Sequence, residues 1–359
     1  MTSRPQIRRS LSSHSPLRRN PRAVLARLIE RPEVDAPAYG PGNPMDVLER
    51  RVAEILGKEE ALFFPTGAMA QQVALRIHAE ASGRKGFAAH PANHLDLWEQ
   101  QGYDVVHGLH FHRVGDANEL MTDEDLAALG EPVAAVLWEL PQREIGGLMP
   151  AWEDLREQVA TARAAGAATH LDGARLWEAQ TCYDRPFAEI ADLFDTVYVS
   201  LYKGIQGVRG AVLAGDAAVV AEAKVWRTRL GGQIPDAWPL ALAALDGLDN
   251  VLPRMAEFRR HAVALAEAIN ADGIARTVPE VPQTPLFHVH LPVGRRAAVE
   301  ASSAILEETG SHLFGGARST PLPDRCLFEV SVGENAMEFE PAELAVLLRE
   351  LVERARKNG

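Results

Sequence analysis

The sequence predicts an α/β protein with a large domain built on a mostly parallel sheet and a smaller α+β domain at the C-terminus. Short apolar runs alternate with helical patterns between residues 38 and 250. This alternation is typical of a sheet whose strands are joined by helices. After Pro239, long stretches rich in Ala and Leu replace the alternation. We therefore place a domain boundary near residue 250.

The predicted elements of the large domain follow one another in regular order. A helix is predicted from Asp46 to Leu56, because its apolar residues recur three and four positions apart. Strands are predicted at Ala61–Phe64, Val105–His112, Val133–Leu140, Ala168–Leu171, Thr196–Ser200 and Ala211–Ala214, and helices at Trp152–Ala165 and around Ala217–Arg229. In such a sheet, functional side chains are expected in the loops at the carboxyl ends of the strands.

The two ends of the chain differ from this pattern. Residues 251–359 form the smaller domain, with predicted helices at Arg254–Asn270, Ala297–Thr309 and Pro341–Arg356 and strands at Phe287–Leu291 and Leu327–Val332. Residues 1–37 form a basic arm: the first 27 residues carry seven arginines and no acid. We expect this arm to be disordered or to pack on the acidic body. Prolines at positions 5, 16 and 21 interrupt the amphipathic helix that a transit peptide would form.

The composition is that of an ordinary globular protein of 359 residues, 47% hydrophobic and 24% charged. A net charge of -12 argues against nucleic acid or an anionic membrane as partner. No apolar run is long enough to cross a bilayer. The two cysteines give neither a disulfide framework nor the spacing of metal ligands. We therefore expect a soluble, cytoplasmic protein without a metal site.

Asp172 and Lys203 are the most informative pair of residues. Asp172 follows the predicted strand Ala168–Leu171, and Lys203 follows Thr196–Ser200. The aldehyde of pyridoxal phosphate is held by a lysine amine as a Schiff base, and its pyridine nitrogen stays protonated beside a carboxylate. An acid and a lysine on neighbouring strands suit this cofactor. Taken alone, the acid would more simply cap the helix that begins near Ala174, and the lysine would be a surface residue.

Three further groups are candidates for the same site. Arg175 could reach the phenolic oxygen of the cofactor or a substrate carboxylate, or could pair with a nearby acid. Thr66-Gly67-Ala68 lies between a strand and a helix, where backbone N–H groups can hold a phosphate. The imidazole of His94 could stack on the pyridine ring and move protons. A capping or surface histidine is the simpler interpretation of His94 alone.

The order of these motifs resembles the threonine aldolase branch of the β-eliminating lyases, over about Ala38 to Leu245. His170-Leu-Asp172-Gly-Ala-Arg175-Leu-Trp and Tyr202-Lys203-Gly204 are the specific elements of the resemblance. The supporting segments are Tyr39-Gly40, Phe64-Pro-Thr66-Gly67-Ala68-Met69, His94 with Trp98-Glu99, and Arg229-Leu-Gly-Gly232.

The resemblance implies the aspartate aminotransferase-like fold, also called fold type I, with a seven-stranded, mostly parallel sheet. It implies pyridoxal 5'-phosphate as cofactor and retro-aldol cleavage of β-hydroxy-α-amino acids, so that threonine would give glycine and acetaldehyde. It also implies a homodimer or homotetramer with active sites at the dimer interface.

The same resemblance implies a role for each matched residue. Lys203 would form the Schiff base and Asp172 would pair with the pyridinium, while His94 would stack on the ring and serve as a candidate base. Catalysis is thereby expected of Lys203, His94, Asp172 and Arg175. Cofactor binding is expected of Lys203, Asp172, His94, Thr66, Gly67, Ala68, Arg175 and Arg229.

Several positions depart from the family pattern, mostly where substrate would be recognised. Ala68 stands where the family usually has threonine, and Thr66 occupies the position of its serine. Gln142 stands where many members have a second active-site histidine. Because glutamine cannot titrate, deprotonation of the β-hydroxyl would fall to His94 or to water. Substrate binding is expected of Gln142, Arg175, Arg325 and Ser13.

The sequence leaves two other functions open. The first is β-elimination or dehydration of an amino acid with the same cofactor, which the glutamine at position 142 motivates. The second is a homologue that has kept the fold and lost the activity, which the unusual loops around Gln206 and Gln233 motivate. The intact lysine, aspartate and arginine argue against this last function.

Overall fold

The computed structural model describes residues 6–12 and 20–358. These residues divide into two compact units: Ala26–Leu252 is the larger, and the smaller joins the described residues up to Leu25 with those from Pro253 onward. The strands are β1 Arg9–Ser10, β2 Glu60–Phe64, β3 Gly86–Ala89, β4 His110–Arg113, β5 Ala135–Glu139, β6 Ala168–Gly173, β7 Thr196–Ser200, β8 Ala211–Gly215, β9 Arg276–Val278, β10 Leu286–Leu291, β11 Ser311–His312, β12 Arg318–Ser319 and β13 Cys326–Ser331.

The helices lie mostly between these strands. They are α1 Pro21–Leu28, α2 Pro44–Leu56, α3 Gly67–Ser82, α4 His94–Trp98, α5 Gly102–Val105, α6 Asp123–Ala127, α7 Trp152–Ala164, α8 Leu176–Tyr183, α9 Phe187–Asp192, α10 Ala217–Arg229, α11 Trp238–Asn250, α12 Met255–Asp272, α13 Arg295–Thr309 and α14 Pro341–Asn358. Short 3-10 turns occur at Pro32–Asp35, Arg143–Ile145, Leu252–Arg254 and Ala336–Glu338. In the part of the chain described, no helix is both long and apolar enough to cross a membrane.

The larger unit is built on a seven-stranded sheet with the strand order β2-β8-β7-β6-β5-β3-β4. Strands β4, β3, β5, β6 and β7 pair in parallel, whereas β8 runs antiparallel to both of its neighbours. The predicted mostly parallel seven-stranded sheet is therefore confirmed. Its strands are buried almost throughout, as expected for a sheet covered by helices.

Two segments of this sheet differ from their prediction. The predicted strand Val105–His112 begins with a helical turn, α5, and only then becomes β4. Gly108, with φ +63°, lies between the two elements, in a conformation that glycine adopts without steric cost. Strand β3 escaped prediction because Gly-Phe-Ala-Ala contains no β-branched residue.

The smaller unit carries an antiparallel sheet with the order β12-β13-β10-β9. Helices α12, α13 and α14 belong to the same unit, which confirms the predicted α+β character of the C-terminal region. Strand β1, from the predicted basic arm, pairs in parallel with β11. The predicted domain boundaries, 1–37, 38–250 and 251–359, stay a prediction.

Candidate active site

Three neighbouring strands of the larger sheet bring acids and the predicted lysine to one edge. Glu139, the last residue of β5, is the register partner of Asp172 in β6. Asp172 in turn is paired with Tyr198 of β7 on its other side. Lys203 lies just beyond Ser200, where β7 ends. Because parallel strands present their carboxyl ends at the same edge, these residues contribute to one site.

Asp172 is buried, with 1% of its surface exposed. Its Oδ1 atom accepts a hydrogen bond of 3.0 Å from the backbone N–H of Ala174. Helix α8 begins later, and Arg175 occupies its N-cap position. Asp172 therefore fixes the turn between β6 and α8 and does not cap the helix, so its carboxylate stays available to the site.

Lys203 is a partly buried amine in an environment of mixed charge. Burial lowers the pKa of the Lys203 amine to about 8, and the positive charge of Arg175 acts in the same direction. The carboxylates of Asp172 and Glu139 oppose this shift. A larger fraction of the amine is therefore neutral near physiological pH than for an exposed lysine. The neutral amine is the nucleophilic form.

The loop that carries Lys203 is closed by its own backbone. The N–H of Leu201 donates to the carbonyl of Gly210 at 3.1 Å, and the N–H of Gly207 donates to the carbonyl of Leu201 at 2.9 Å. Ile205 is fully buried at the centre of the loop. A Cβ atom on Gly207 would lie 2.3 Å from the carbonyl oxygen of Leu201, so this close approach requires glycine.

Glu139 is a site residue that the sequence analysis did not single out. It keeps some exposed surface, but its Oε2 atom is shielded from solvent and accepts no hydrogen bond from any residue that the structure describes. Burial, and after it the charge of Asp172, raises the pKa of the Glu139 carboxyl to about 7. The sequence did contain a signal for Glu139, because this residue ends an apolar run as Asp172 does. In that segment, however, only Gln142 was considered as a site residue.

His94 opens helix α4 and pairs with a carboxylate. Asn93 caps the helix, because its side chain accepts from the N–H of Asp96. His94 is therefore not the cap, and its Nε2 atom lies 3.1 Å from Oε1 of Glu99. This hydrogen bond is the main cause that lowers the pKa of Glu99. A histidine oriented by a carboxylate is a candidate general base.

The predicted phosphate loop lies at the N-terminus of α3. The Oγ1 atom of Thr66 accepts from the N–H of Met69 at 3.2 Å, which leaves its own hydroxyl proton available to a ligand. The N–H groups of Gly67 and Ala68 have no carbonyl of their own helix to bond. A Cβ atom on Gly67 would lie 2.0 Å from Oη of Tyr198, so the loop packs directly on the residue paired with Asp172.

Gln142 is buried, with 4% of its surface exposed, and is tied to the segment that leads into α4. Its Nε2 atom donates to the carbonyl of Ala92 at 3.2 Å, which leaves its side-chain oxygen as an acceptor. Arg175 is also buried, and its charge lowers the pKa values of both Lys203 and Glu139. The structure thus brings Gln142 and Arg175 to the predicted region.

Arg229, Arg325 and Ser13 are the remaining predicted site residues. Arg229 is exposed at the end of α10 and lies over the ring of Trp226, 4.8 Å from its centroid. Arg325 is exposed in the smaller unit, directly before β13. Ser13 lies outside the described residues. The roles of Arg229, Arg325 and Ser13 stay predictions.

The described residues fit pyridoxal phosphate. Lys203 supplies an amine of lowered pKa and Asp172 supplies a buried carboxylate. The N-terminus of α3, at Gly67 and Ala68, presents backbone N–H groups that suit a phosphate. Burial raises the pKa of Tyr198 well above its usual value, so this phenol stays neutral beside a bound phosphate.

Fold and site together define an enzyme of the aspartate aminotransferase-like class. The chain belongs to the β-eliminating lyase family, whose model matches residues 21–291. Members of this family depend on pyridoxal phosphate. The expected family, fold class and enzyme class, a threonine aldolase-like lyase, are thereby confirmed.

Solved structures and curated relatives agree with this assignment. A candidate L-allo-threonine aldolase of Listeria monocytogenes EGD-E is 38% identical with a TM-score of 0.90, over 97% of each chain. A candidate aromatic amino acid β-eliminating lyase/threonine aldolase of Exiguobacterium sp. 255-15 is 36% identical with a TM-score of 0.88, over 97% of this chain and 98% of that one. The low-specificity L-threonine aldolase 1 of Arabidopsis thaliana is 27% identical over 86% of this chain and 89% of its own.

Proposed function

We propose that the protein uses pyridoxal phosphate to cleave the Cα–Cβ bond of a β-hydroxy-α-amino acid, giving glycine and an aldehyde. The observation that carries this proposal is the meeting of a lysine of lowered pKa with a buried aspartate at adjoining strand ends, beside the pair of His94 and Glu99. The names of the relatives, low-specificity L-threonine aldolases among them, support the substrate class.

Each part of the cofactor has a candidate partner in the larger unit. Lys203 would hold the aldehyde carbon and Asp172 the pyridine nitrogen. The N–H groups of Gly67 and Ala68, with the hydroxyl of Thr66, would hold the phosphate. When bound, pyridoxal phosphate supplies a protonated ring that accepts the electron pair left on Cα as the Cα–Cβ bond breaks.

The proton transfers fall to side chains of this chain. His94 takes the proton of the β-hydroxyl, and the electrons of that O–H bond form the carbonyl of the aldehyde as the Cα–Cβ bond breaks. Glu99 orients the imidazole and stabilises its charged form. The second N–H of the Gln142 amide donates a hydrogen bond to the oxygen of the same hydroxyl and holds it in place. The Cα atom then takes up a proton, and glycine leaves.

The test is a product assay on the purified protein loaded with cofactor. We expect aldehyde and glycine in equal amounts from at least one of threonine, allo-threonine and phenylserine. Lys203→Ala should lose the activity by at least about 10³-fold, because no other amine takes over its role, whereas Lys85→Ala, an exposed lysine, should keep it. Borohydride reduction should fix the cofactor on Lys203. Aldehyde from none of the β-hydroxy amino acids would contradict the proposal.

A second candidate reaction is β-elimination or dehydration with the same cofactor. It is favoured by Gln142, which is buried and cannot accept a proton from the substrate, at the position where the family resemblance implies a histidine. Its products would be ammonia and a keto acid, without glycine. Measuring both pairs of products from the same incubation separates the two reactions.

We also propose that the protein is a cytoplasmic homodimer or homotetramer with active sites at the dimer interface. The family resemblance supports this assembly, and the net charge of -12 suits a protein that avoids anionic surfaces. Sedimentation equilibrium of the loaded protein measures the assembly, and a monomer with full activity would contradict it.

A further inference from the structure

Glu139 is a second carboxyl group beside Asp172, and the proposed reaction gives it no role. The two residues are register partners at the ends of β5 and β6, and register partners on parallel strands present their side chains on the same face of the sheet. The Oε1 atom of Glu139 accepts from the N–H of Arg143 at 3.4 Å. Its Oε2 atom is buried and without a hydrogen-bond partner among the described residues.

An ionised carboxylate in this position would be doubly unfavourable. One oxygen would carry negative charge away from water, and a like charge would lie on the next strand. The charged and titratable groups that face Glu139 are Asp172 from β6, Arg175 from the turn after β6, His94 from α4 and Lys203 from the loop after β7. The cationic groups oppose the effects of burial and Asp172 but do not outweigh them, so the pKa of Glu139 is raised to about 7.

We propose that Glu139 holds a proton up to about neutral pH and thereby limits the negative charge beside Asp172. While Glu139 is neutral, Asp172 is the only anion of the pair, and the pyridine nitrogen of the cofactor faces a single negative charge. A second anion there would also stabilise the charged form of Lys203, which cannot act as a nucleophile. This inference rests on the proposed cofactor, but its first test does not need the cofactor.

The first test compares the free energy of unfolding of the cofactor-free full chain, wild type against Glu139→Gln, between about pH 5 and about pH 8. A folded-state pKa above the unfolded value means that the native protein binds more protons in this window. The contribution of Glu139 to the stability of the wild type must therefore decrease as pH rises through it. Relative to Glu139→Gln, the folding equilibrium constant of the wild type should fall by a factor approaching ten per pH unit between about pH 5 and about pH 7, and level off above that pH.

The matched control is Glu222→Gln, which changes an exposed carboxylate and should leave the pH dependence of the wild type unaltered. A role in packing alone would shift the stability of Glu139→Gln by the same amount at every pH. Parallel curves for the wild type and Glu139→Gln would therefore overturn the proposal. If Glu139→Gln does not fold, Glu139→Asp serves instead: it should keep the pH dependence with a moved midpoint, and unchanged stability with pH would overturn the proposal.

The second test uses the holoenzyme and the visible absorbance of the bound cofactor. The wild type should show a component that titrates near the pKa of Glu139, and Glu139→Gln should lose this component while retaining the cofactor. The same titration in both proteins would overturn the proposal. Should the protein take up no pyridoxal phosphate at all, the proposed function fails, and the comparison of unfolding free energies still decides whether Glu139 holds a proton.

Discussion

At the scale of single residues, the absence of a side chain at position 67 shapes the proposed phosphate site. The backbone of Gly67 approaches the phenol of Tyr198 so closely that a Cβ atom would lie 2.0 Å from the hydroxyl oxygen and 2.4 Å from a ring carbon. Tyr198 is buried among core residues and cannot easily move away. The identity of position 67 therefore controls where helix α3 begins.

We predict that Gly67→Ala weakens pyridoxal phosphate binding by about tenfold or more, because overpacking of this kind costs about 1–3 kcal/mol and displaces the N–H groups at the start of the helix. The measurement is a titration of the apoprotein with cofactor, followed by absorbance. Gly130→Ala is the control, since a Cβ atom there meets nothing within 4 Å. Equal affinity in both variants would contradict the packing argument.

The sequence could predict a site residue where the local sequence pattern marks its position, and not where its properties depend on contacts between distant segments. Asp172 and Lys203 each follow an apolar run, so their place at strand ends was readable from local pattern. The raised pKa of Glu139 depends on the register between β5 and β6, which no local pattern contains. The pairing of His94 with Glu99 spans one short helix, yet its hydrogen bond needed coordinates.

At the scale of secondary structure elements, two buried imidazoles join a helix to two strands. Nε2 of His78 in α3 and Nδ1 of His170 in β6 each lie 2.8 Å from Oγ1 of Thr196 in β7. The hydroxyl can donate to one ring and accept from the other, and the ring that accepts must be neutral. Burial lowers the pKa of His78 and lowers that of His170 to about 3.

We predict that the protein loses stability as the pH falls below about 6.5, the ordinary value for histidine. Both imidazoles take up protons on unfolding in this window but stay neutral in the folded state, so acid favours the unfolded chain. The measurement is the unfolding free energy in urea at several pH values. His78→Gln removes one of the two groups and should reduce the slope.

His110→Gln is the control for this prediction, because His110 is exposed. A slope that is the same in His78→Gln as in the wild type would contradict the assignment of the acid sensitivity to these imidazoles.

Elements were predicted well where local pattern alone decides them. Strand Thr196–Ser200 and helix Ala217–Arg229 have the predicted bounds, because continuous apolar runs and helical spacing define them. Strand β3 and helix α5 were missed. Phe87 of β3 packs between Tyr103 and Phe111, with ring centroids 5.1 Å and 5.3 Å away. These tertiary contacts stabilise elements whose own propensities are weak.

At the scale of the whole chain, the smaller unit is completed by residues from the opposite end of the sequence. The N–H of Leu11 donates to the carbonyl of His312 at 3.0 Å, and Oγ of Ser10 lies 2.8 Å from Nδ1 of His312. Leu11 is 1% exposed. The sequence indicated only a basic arm, because pairing across some 300 residues leaves no trace in local composition.

We predict that Leu11→Ala lowers the free energy of unfolding by about 2–4 kcal/mol, the usual cost of removing a buried leucine side chain. Urea unfolding of the full chain measures the change. Gln6→Ala, at an exposed position of the same segment, should have no comparable effect. An arm that contributes nothing to the fold would make the two variants equally stable.

The self-closed loop from Leu201 to Gly210 has a consequence for how the enzyme could be modified. Backbone hydrogen bonds within this loop hold the main chain of Lys203 in place. We therefore expect the amine to release and recapture a ligand by rotation about the four-carbon side chain, without rearrangement of the backbone. Substitutions in the surrounding segments can then change which substrate binds without moving Lys203. Laboratory evolution of the chain should accordingly accept changes at exposed Val208 and Arg209 far more readily than at Gly207 or Ile205.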